Sequence, residues 1–385
     1  MAKPHWADCI GRKKGAGMGS RVKVGIVGLG FGSEFIPIYQ NHPDAEMAAL
    51  SQRNPDSLKD IGNAFGVKKL YTKYEDMVND PDLDAIHINT PIPDHAAMTL
   101  LALKAGKHVA CTVPMATKVE DCKAIVAAAR KARRNYMMME TTVYTREFLF
   151  VKRLFDQGEL GRLQFLRGAH QQEMAGWPGY WEGLPPMHYA THAVGPLLAL
   201  AGKRAEWVSC LGSGQIAANL AAKYGSPFAV ETALIRLKDS NLAAEITRSL
   251  FETAREYVES FDVYGDRMTF EWQQTEKEKP VLFRGERAER IEVPDFAHLL
   301  PEGIRKYTTK GVYDESNNHL SFKQGSGHGG SHPHLAHEFV RSIVESRPSA
   351  IDEATSANWT SVGLCAHESA IKGGVRVDIP DFDAD

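Results

Sequence analysis

Short apolar runs recur along the first third of the chain, each followed by an amphipathic stretch. "RVKVGIVGLG" is a short β-branched run followed by a Gly-rich turn. "AEMAALSQRN", "LDAIHINT", "KHVACTV" and "NYMMME" follow it as four more strand candidates. Helical spacing lies between them. From Asp94 to Gly106, residues Met98, Leu101, Ala102 and Ala105 share one helical face, with Asp94 placed to cap the start and Gly106 the end. Such alternation predicts a parallel sheet with helices on both faces. Further on, "AVETALIRLK", "LAAEITRSLF", "ESFDVYGDRMTFEW" and "PVLFRG" read as strands of an antiparallel sheet. "PPMHYATHAVGPLLALAG" predicts a helix starting near Pro186. That start places His188 and His192 one turn apart and Tyr189 three positions before His192, all on roughly one face. Pro196 lacks an N–H, so the carbonyl of His192 loses its usual partner there.

A chain of 385 residues is long for a single core, so two domains are expected. Residues 1–20 are polar and Gly-rich and read as a flexible arm without the apolar core of a signal peptide. The α/β pattern covers 21–141, and an α+β pattern covers 142–385. A formal net charge of −3 gives no electrostatic reason to expect nucleic acid or an anionic membrane as partner. No apolar run is long enough to span a bilayer. The five cysteines include no C-x-x-C pair and their number is odd, which fits a reducing, cytoplasmic compartment.

Gly28, Gly30 and Ser33 occupy the three positions of a dinucleotide-binding fingerprint directly after a strand. The first glycine permits the tight turn, and the second lets backbone approach a pyrophosphate at a helix N-terminus. Gly32 adds slack, and Phe31 stands in the same turn. The acid expected at the end of the second strand is replaced by Gln52 and Arg53. Gln52 can bond ribose hydroxyls, and Arg53 can stack on adenine or meet a 2′-phosphate, which leaves NAD against NADP open. Thr90, Pro91, His95, Val113 and Glu140, near the carboxyl ends of later strands, complete the expected dinucleotide contacts.

"GIVGLGFGSEF", "LDAIHINTPIPDHAAMTLLALKAGKHV", "GELGRLQFLRG" and "HLAHEFVRSIVESRPSAID" together resemble the Gfo/Idh/MocA family, over nearly the whole chain from Val22. The resemblance implies an α/β Rossmann domain followed by an α+β domain with a large, mostly antiparallel open sheet. It also implies a homodimer or homotetramer formed through that sheet. The family's Glu-Lys-Pro reads Thr112-Val113-Pro114 here, so the catalytic lysine is absent; His188 replaces its usual Asp. "MMMETTVYTRE", "YATHAVGP" and "GHGG" resemble glycoside hydrolase family 109, whose members also lack the lysine, and the family 188 sulfoquinovosidases are a related group. By motif position, Tyr144, Tyr189 and His192 match the catalytic tyrosines and histidine of family 109. The mechanism so implied oxidises C3 of a glycoside with tightly bound NAD, eliminates the aglycone, hydrates the product and re-reduces it.

Proton transfers in that chemistry need bases rather than a carboxylate pair at glycosidase spacing. His192, Tyr189 and His188 are one candidate set. Tyr144 is the candidate base for the C2 proton, with Arg146 as the cation beside it and a substrate contact. Trp177 and Trp181 offer apolar platforms for a sugar face. "GSGHGGSHPHLAHE" reads as a loop closing over substrate, with His328 as a contact and Ser331 or His332 as the cap of the helix that Pro333 opens. No metal is expected, because only Glu338 accompanies the histidines. The expected partner is a sugar or glycoside. Net oxidation by an NAD(P)-dependent sugar dehydrogenase is the alternative, and a non-catalytic dinucleotide sensor a third reading.

Overall fold

The structure is a computed structural model that describes residues 21–175, 179, 183–309 and 328–383. The N-terminal arm, Trp177 and Trp181 lie outside the described residues. The chain forms two compact units that exchange at Met139/Glu140 and again at Pro294/Asp295 and Ser356/Ala357. The described residues 295–309 and 328–356, which the sequence pattern assigns to the C-terminal domain, pack instead with the first unit. The helix His332–Val344 meets the strand Val22–Val27 and the turn Ser33–Phe35, segments far away in sequence, which no local pattern records.

The first unit is built on six parallel strands in the order β3-β2-β1-β4-β5-β6. They are β1 (Val22–Val27), β2 (Ala45–Ser51), β3 (Lys69–Tyr71), β4 (Ala85–Ile88), β5 (His108–Cys111) and β6 (Tyr136–Met138). All of β4 is buried, as expected for a strand covered on both faces. The strand order reverses direction at β1, between β2 and β4, and the Gly-rich turn follows that strand. In open α/β sheets ligands bind at this switch point.

Gly28 adopts φ +83°, and a Cβ there would stand 2.3 Å from the carbonyl oxygen of Asn89. Gly32 is not slack: a Cβ on it would meet Ile26 at 2.9 Å and the Asn89 amide at 3.0 Å. It seats the first helical turn, Leu29–Gly32, against β1. The helix His95–Lys104 buries His95, Ala96, Thr99, Ala102 and Leu103, not the face led by Met98 and Ala105. Asp94 makes no capping bond, because it belongs to a 3-10 turn, Ile92–Asp94, that precedes the helix. Small side chains and one histidine face the sheet here, so an apolar count alone selects the wrong face.

The second unit holds a nine-stranded sheet in the order β14-β13-β12-β11-β7-β10-β9-β8-β15. Its strands are β7 (Leu163–Gln171), β8 (Ala205–Ser213), β9 (Val230–Leu237), β10 (Ala243–Ser249), β11 (Val258–Gly265), β12 (Thr269–Glu271), β13 (Val281–Arg284), β14 (Arg287–Arg290) and β15 (Val377–Asp378). All neighbours are antiparallel except β7 and β10. The helix Thr191–Ala201 lies on one face, directly over β7. A Cβ on Gly168 of β7 would stand 2.2 Å from the carbonyl oxygen of Ala193. The helix continues through Pro196 without ending.

Gly28 and Gly66 provide a test of the first unit. Both have positive φ, but nothing lies within 4 Å of a Cβ on Gly66. Gly66→Ala is expected to cost about 1–2 kcal/mol from backbone strain alone. Gly28→Ala is expected to cost clearly more in denaturant unfolding, because the backbone at Asn89 must also move.

Candidate active site

The second unit gathers ionisable side chains around His192, at the start of the helix Thr191–Ala201. Its Nδ1 lies 2.5 Å from Oε1 of Glu140. Its Nε2 lies 3.0 Å from the Tyr189 hydroxyl and 3.5 Å from Oε1 of Glu259. Glu140 is fully buried, and the same oxygen accepts from the Thr142 N–H at 3.1 Å and the Thr142 hydroxyl at 2.9 Å. These bonds cap the 3-10 turn Thr141–Tyr144. One carboxylate therefore both starts a local turn and fixes the ring of a residue fifty positions away.

Three inward-facing positions of neighbouring strands form the floor. In register, Arg248 of β10 and Glu259 of β11 both pair with His170 of β7. Arg248 is fully buried. It donates to the carbonyls of Tyr189 at 3.1 Å, His170 at 3.0 Å and Ser249 at 2.6 Å, and to the Gln172 amide oxygen at 3.1 Å. The guanidinium lies 5.5 Å from the Tyr189 ring. Tyr257 donates a short hydrogen bond to Glu259. The His170 ring is 5.0 Å from that of His192 and 5.5 Å from that of Tyr189.

Electrostatics separates the two carboxylates. Burial works to raise Glu140, but the His192 ring and the Thr142 N–H outweigh it and hold the carboxyl below its ordinary range. For Glu259 burial prevails over His192 and Tyr257 and pushes the carboxyl up. Burial opposes charge on His192, yet Glu140 and Glu259 together raise it. Such an arrangement can accept a proton at Nε2 through Tyr189 while Nδ1–H stays fixed on Glu140.

His188 does not join this cluster. The predicted helix is broken: a 3-10 turn, Pro186–Tyr189, ends at Ala190 (φ −100°, ψ 1°), and the α-helix starts at Thr191. His188 and His192 are therefore not one helical turn apart. His188 packs edge-to-face on His367 at 5.3 Å, and burial lowers it to about 3. His367 Nδ1 lies 2.9 Å from Oε1 of Glu231, which also accepts from the Ser226 hydroxyl at 3.1 Å. Tyr144 is buried in the turn that Glu140 caps, and Arg146 begins the following helix, Arg146–Asp156. Glu140, expected as a dinucleotide contact, is instead committed to His192.

Sequence reasoning missed Glu259, Tyr257, His170 and Arg248. A signal existed for three of them. Glu259 alternates with Phe261 and Val263, His170 with Leu166 and Gly168, and Arg248 with Ala244 and Ile246, all otherwise core-facing positions. A charged or ring-nitrogen residue at an inward strand position is the informative exception.

In the first unit, Gln52 spends its side chain on the protein. Its oxygen accepts from the Leu29 N–H at 2.9 Å, and its nitrogen donates to Ser57 at 2.9 Å. Arg53 is exposed and Ser33 donates to the Gly30 carbonyl at 3.4 Å. Val113 is buried, and Thr90 and Pro91 lie where β4 gives way to its 3-10 turn. His328 lies beside Phe31, with ring centroids 5.8 Å apart. Neither Ser331 nor His332 caps the helix His332–Val344 with its side chain. His332 is instead buried, with Nδ1 2.5 Å from Glu34 and Nε2 3.1 Å from His328. Among the described residues no cluster of three or more His, Cys, Asp or Glu side chains is arranged to hold a metal, and no helix is long and apolar enough to cross a membrane.

The Gly-rich turn stands at the switch point, where folds of this kind bind a dinucleotide pyrophosphate. Comparison with known proteins agrees. Residues 22–140 match the family described as "Oxidoreductase family, NAD-binding Rossmann fold", Gfo/Idh/MocA. The match covers that segment, and the parallel sheet and the separate, mostly antiparallel sheet match the two-domain fold of the same family. A protein of Shewanella pealeana named as a glycosyl hydrolase family 109 protein is 25% identical over 94% of this chain and 85% of its own length. An oxidoreductase of Agrobacterium radiobacter, solved with NAD+, L-tartaric acid and magnesium, superposes with a TM-score of 0.76 at 17% identity, over 94% of this chain and 99% of that one. Levoglucosan dehydrogenase with NADH and levoglucosan gives a TM-score of 0.75 at 19% identity, over 94% of this chain and 100% of that one.

His95 yields a test of this unit. Its Nδ1 lies 2.8 Å from the Pro114 carbonyl and its Nε2 2.9 Å from the Thr90 carbonyl. Carbonyls only accept, so both nitrogens must carry protons. Burial opposes that charge, but the Cys111 sulfur and the two carbonyls overcome it and raise His95 to about 9. A raised value stabilises the fold fully below the unfolded histidine's value near 6.5, and the effect is lost as pH rises through about 9. The stability gap between the native protein and His95→Gln is expected to shrink by a few kcal/mol across that window in unfolding titrations.

Proposed function

We propose that the protein is an NAD-dependent glycoside hydrolase that works by transient oxidation at C3, elimination, hydration and re-reduction. The observation that carries the reading is the chain Glu140–His192–Tyr189, a buried carboxylate, a buried imidazole and a half-buried phenol in hydrogen-bond contact. It supplies acid–base groups in a protein whose family lysine is replaced by Val113. The family 109 name of the Shewanella relative supports the same reading. Bound NAD supplies the hydride acceptor and, later in the turnover, the donor. Gly28, Gly30, Phe31, Gly32 and Ser33 would hold it, with Thr90, Pro91 and Val113 beside it.

Tyr189 takes the proton of the oxidised hydroxyl as it passes its own to Nε2 of His192. Glu140 holds Nδ1–H and so fixes the tautomer that leaves Nε2 able to accept. Tyr144 removes the C2 proton, which the neighbouring ketone has acidified, and the aglycone leaves from C1. Arg146, in the unit that carries Tyr144 and His192, contacts the sugar. Net sugar oxidation is the second reading, favoured by the dehydrogenase names of the structural neighbours.

Turnover of an aryl glycoside in deuterated water separates the two readings. Hydrolysis by elimination places deuterium at C2 of the released sugar. Release without deuterium rejects it, and NADH accumulation without aglycone supports net oxidation. His192→Ala is expected to lower turnover by about 10²- to 10⁴-fold while dinucleotide binding, measured by calorimetry, is kept.

A homo-oligomer through the nine-stranded sheet belongs to the same proposal. Leu211 and Leu234 are 58% and 55% exposed on adjacent strands β8 and β9. They share one face, because Leu234 pairs with Ser209, two positions from Leu211. A second copy covering this face would remove both from water. Leu234→Lys is expected to shift the protein to a smaller species in light scattering; an unchanged mass would reject this face as the interface.

A further inference from the structure

His192 meets a carboxylate on each ring nitrogen. Glu140 lies 2.5 Å from Nδ1, and Glu259 lies 3.5 Å from Nε2, on the same side as the Tyr189 hydroxyl. Every packed element adds a group to this field. The 3-10 turn below brings Glu140, and the turn before the helix brings Tyr189. Strand β7 brings His170, 4.0 Å from Glu259; β10 brings the buried cation Arg248; β11 brings Glu259 and its donor Tyr257.

We propose that Glu259 is a second carboxylate of the site, a positioning residue that acts through His192 by stabilising the imidazolium from its Nε2 side. This rests on the reading of His192 as the proton carrier. Glu140 fixes the tautomer and favours the charged ring from the Nδ1 side. Glu259 adds to this from the Nε2 side, because a positive ring placed between two carboxylates is attracted by both. A proton taken up at Nε2 is thus held near the place it left, ready for return when the hydroxyl is re-formed.

The carboxylate is built into the site rather than incidental: Glu259 occupies an inward strand position where a core residue would otherwise stand, and its side chain is only 8% exposed. Burial pushes Glu259 up while Glu140 is held low, so the two carboxylates are inequivalent: Glu140 is the permanent anion and Glu259 the adjustable one.

The test reads His192 directly. The full chain is labelled with 15N-histidine, and the ring nitrogens of His192, assigned by loss in His192→Gln, are titrated by NMR. In Glu259→Gln the His192 midpoint is expected to fall by about one to three pH units. In Tyr257→Phe it is expected to fall by less, because Glu259 loses the donor that favours its ionised form. The limb of the pH–rate profile that reports His192 should move in the same direction, whereas a purely structural contact would lower the rate without moving the limb. An unmoved midpoint in Glu259→Gln overturns the proposal. If that variant does not fold, an unmoved midpoint in Tyr257→Phe does so. The titration needs no substrate, so absence of glycoside turnover in the native protein would reject the functional reading and leave this result standing.

Discussion

The missing side chain at Gly168 sets the architecture of the site. Without a Cβ there, the backbone of the helix Thr191–Ala201 comes into contact with strand β7; with one, the Ala193 carbonyl would be 2.2 Å away. That close seating puts His192 at the level of the sheet floor, where inward residues of β7, β10 and β11 reach it. Gly195 repeats the device on the far side, since a Cβ there would stand 3.0 Å from the Glu140 side chain. A helix held off by two methyl groups would carry its histidine away from both carboxylates.

Close seating also forces the electrostatics. Taking Glu140, Glu259, Arg248 and His192 out of water is costly unless each is paired and hydrogen-bonded. Oε1 of Glu140 is satisfied by a local turn and by His192, Arg248 by oxygens of four residues, and Glu259 is met by Tyr257 and the imidazole. The cluster is therefore interdependent, and a change at one member alters the charge favoured on the others. The first unit uses a comparable pairing, with buried Glu34 on His332 and His332 on His328, next to the turn that carries Phe31.

Much of the site was legible as residue types and little of it as connections. "YATHAVGP" pointed to Tyr189 and His192, whose contact depends on a separation of three residues and survives the wrong helix start. His188 was misplaced by that same error: Pro185 and Pro186 open a 3-10 turn, and one non-helical residue, Ala190, is enough to rotate it towards His367. Glu140 was read as a cofactor contact because it ends a parallel strand, a rule about strand ends that ignores what approaches from another part of the chain. Gln52 was read as a ribose contact because it stands where an acid is usual, yet its amide already serves Leu29 and Ser57.

The sequence by itself determined the alternation of strand and helix, the Gly-rich turn and its place after β1, and the period-two strands of the second unit. These are local matters: propensity, periodicity and the backbone freedom of glycine act over a few residues. Tertiary structure decided which unit the described residues 295–309 and 328–356 join, which face of His95–Lys104 is buried, and which partners meet His192. Strand register brought His170, Arg248 and Glu259 side by side, and register is set by the burial of whole strand faces rather than by any short segment. The buried charges around His192 meet partners from distant segments, because a buried charge is tolerable only where folding brings its counterpart to it.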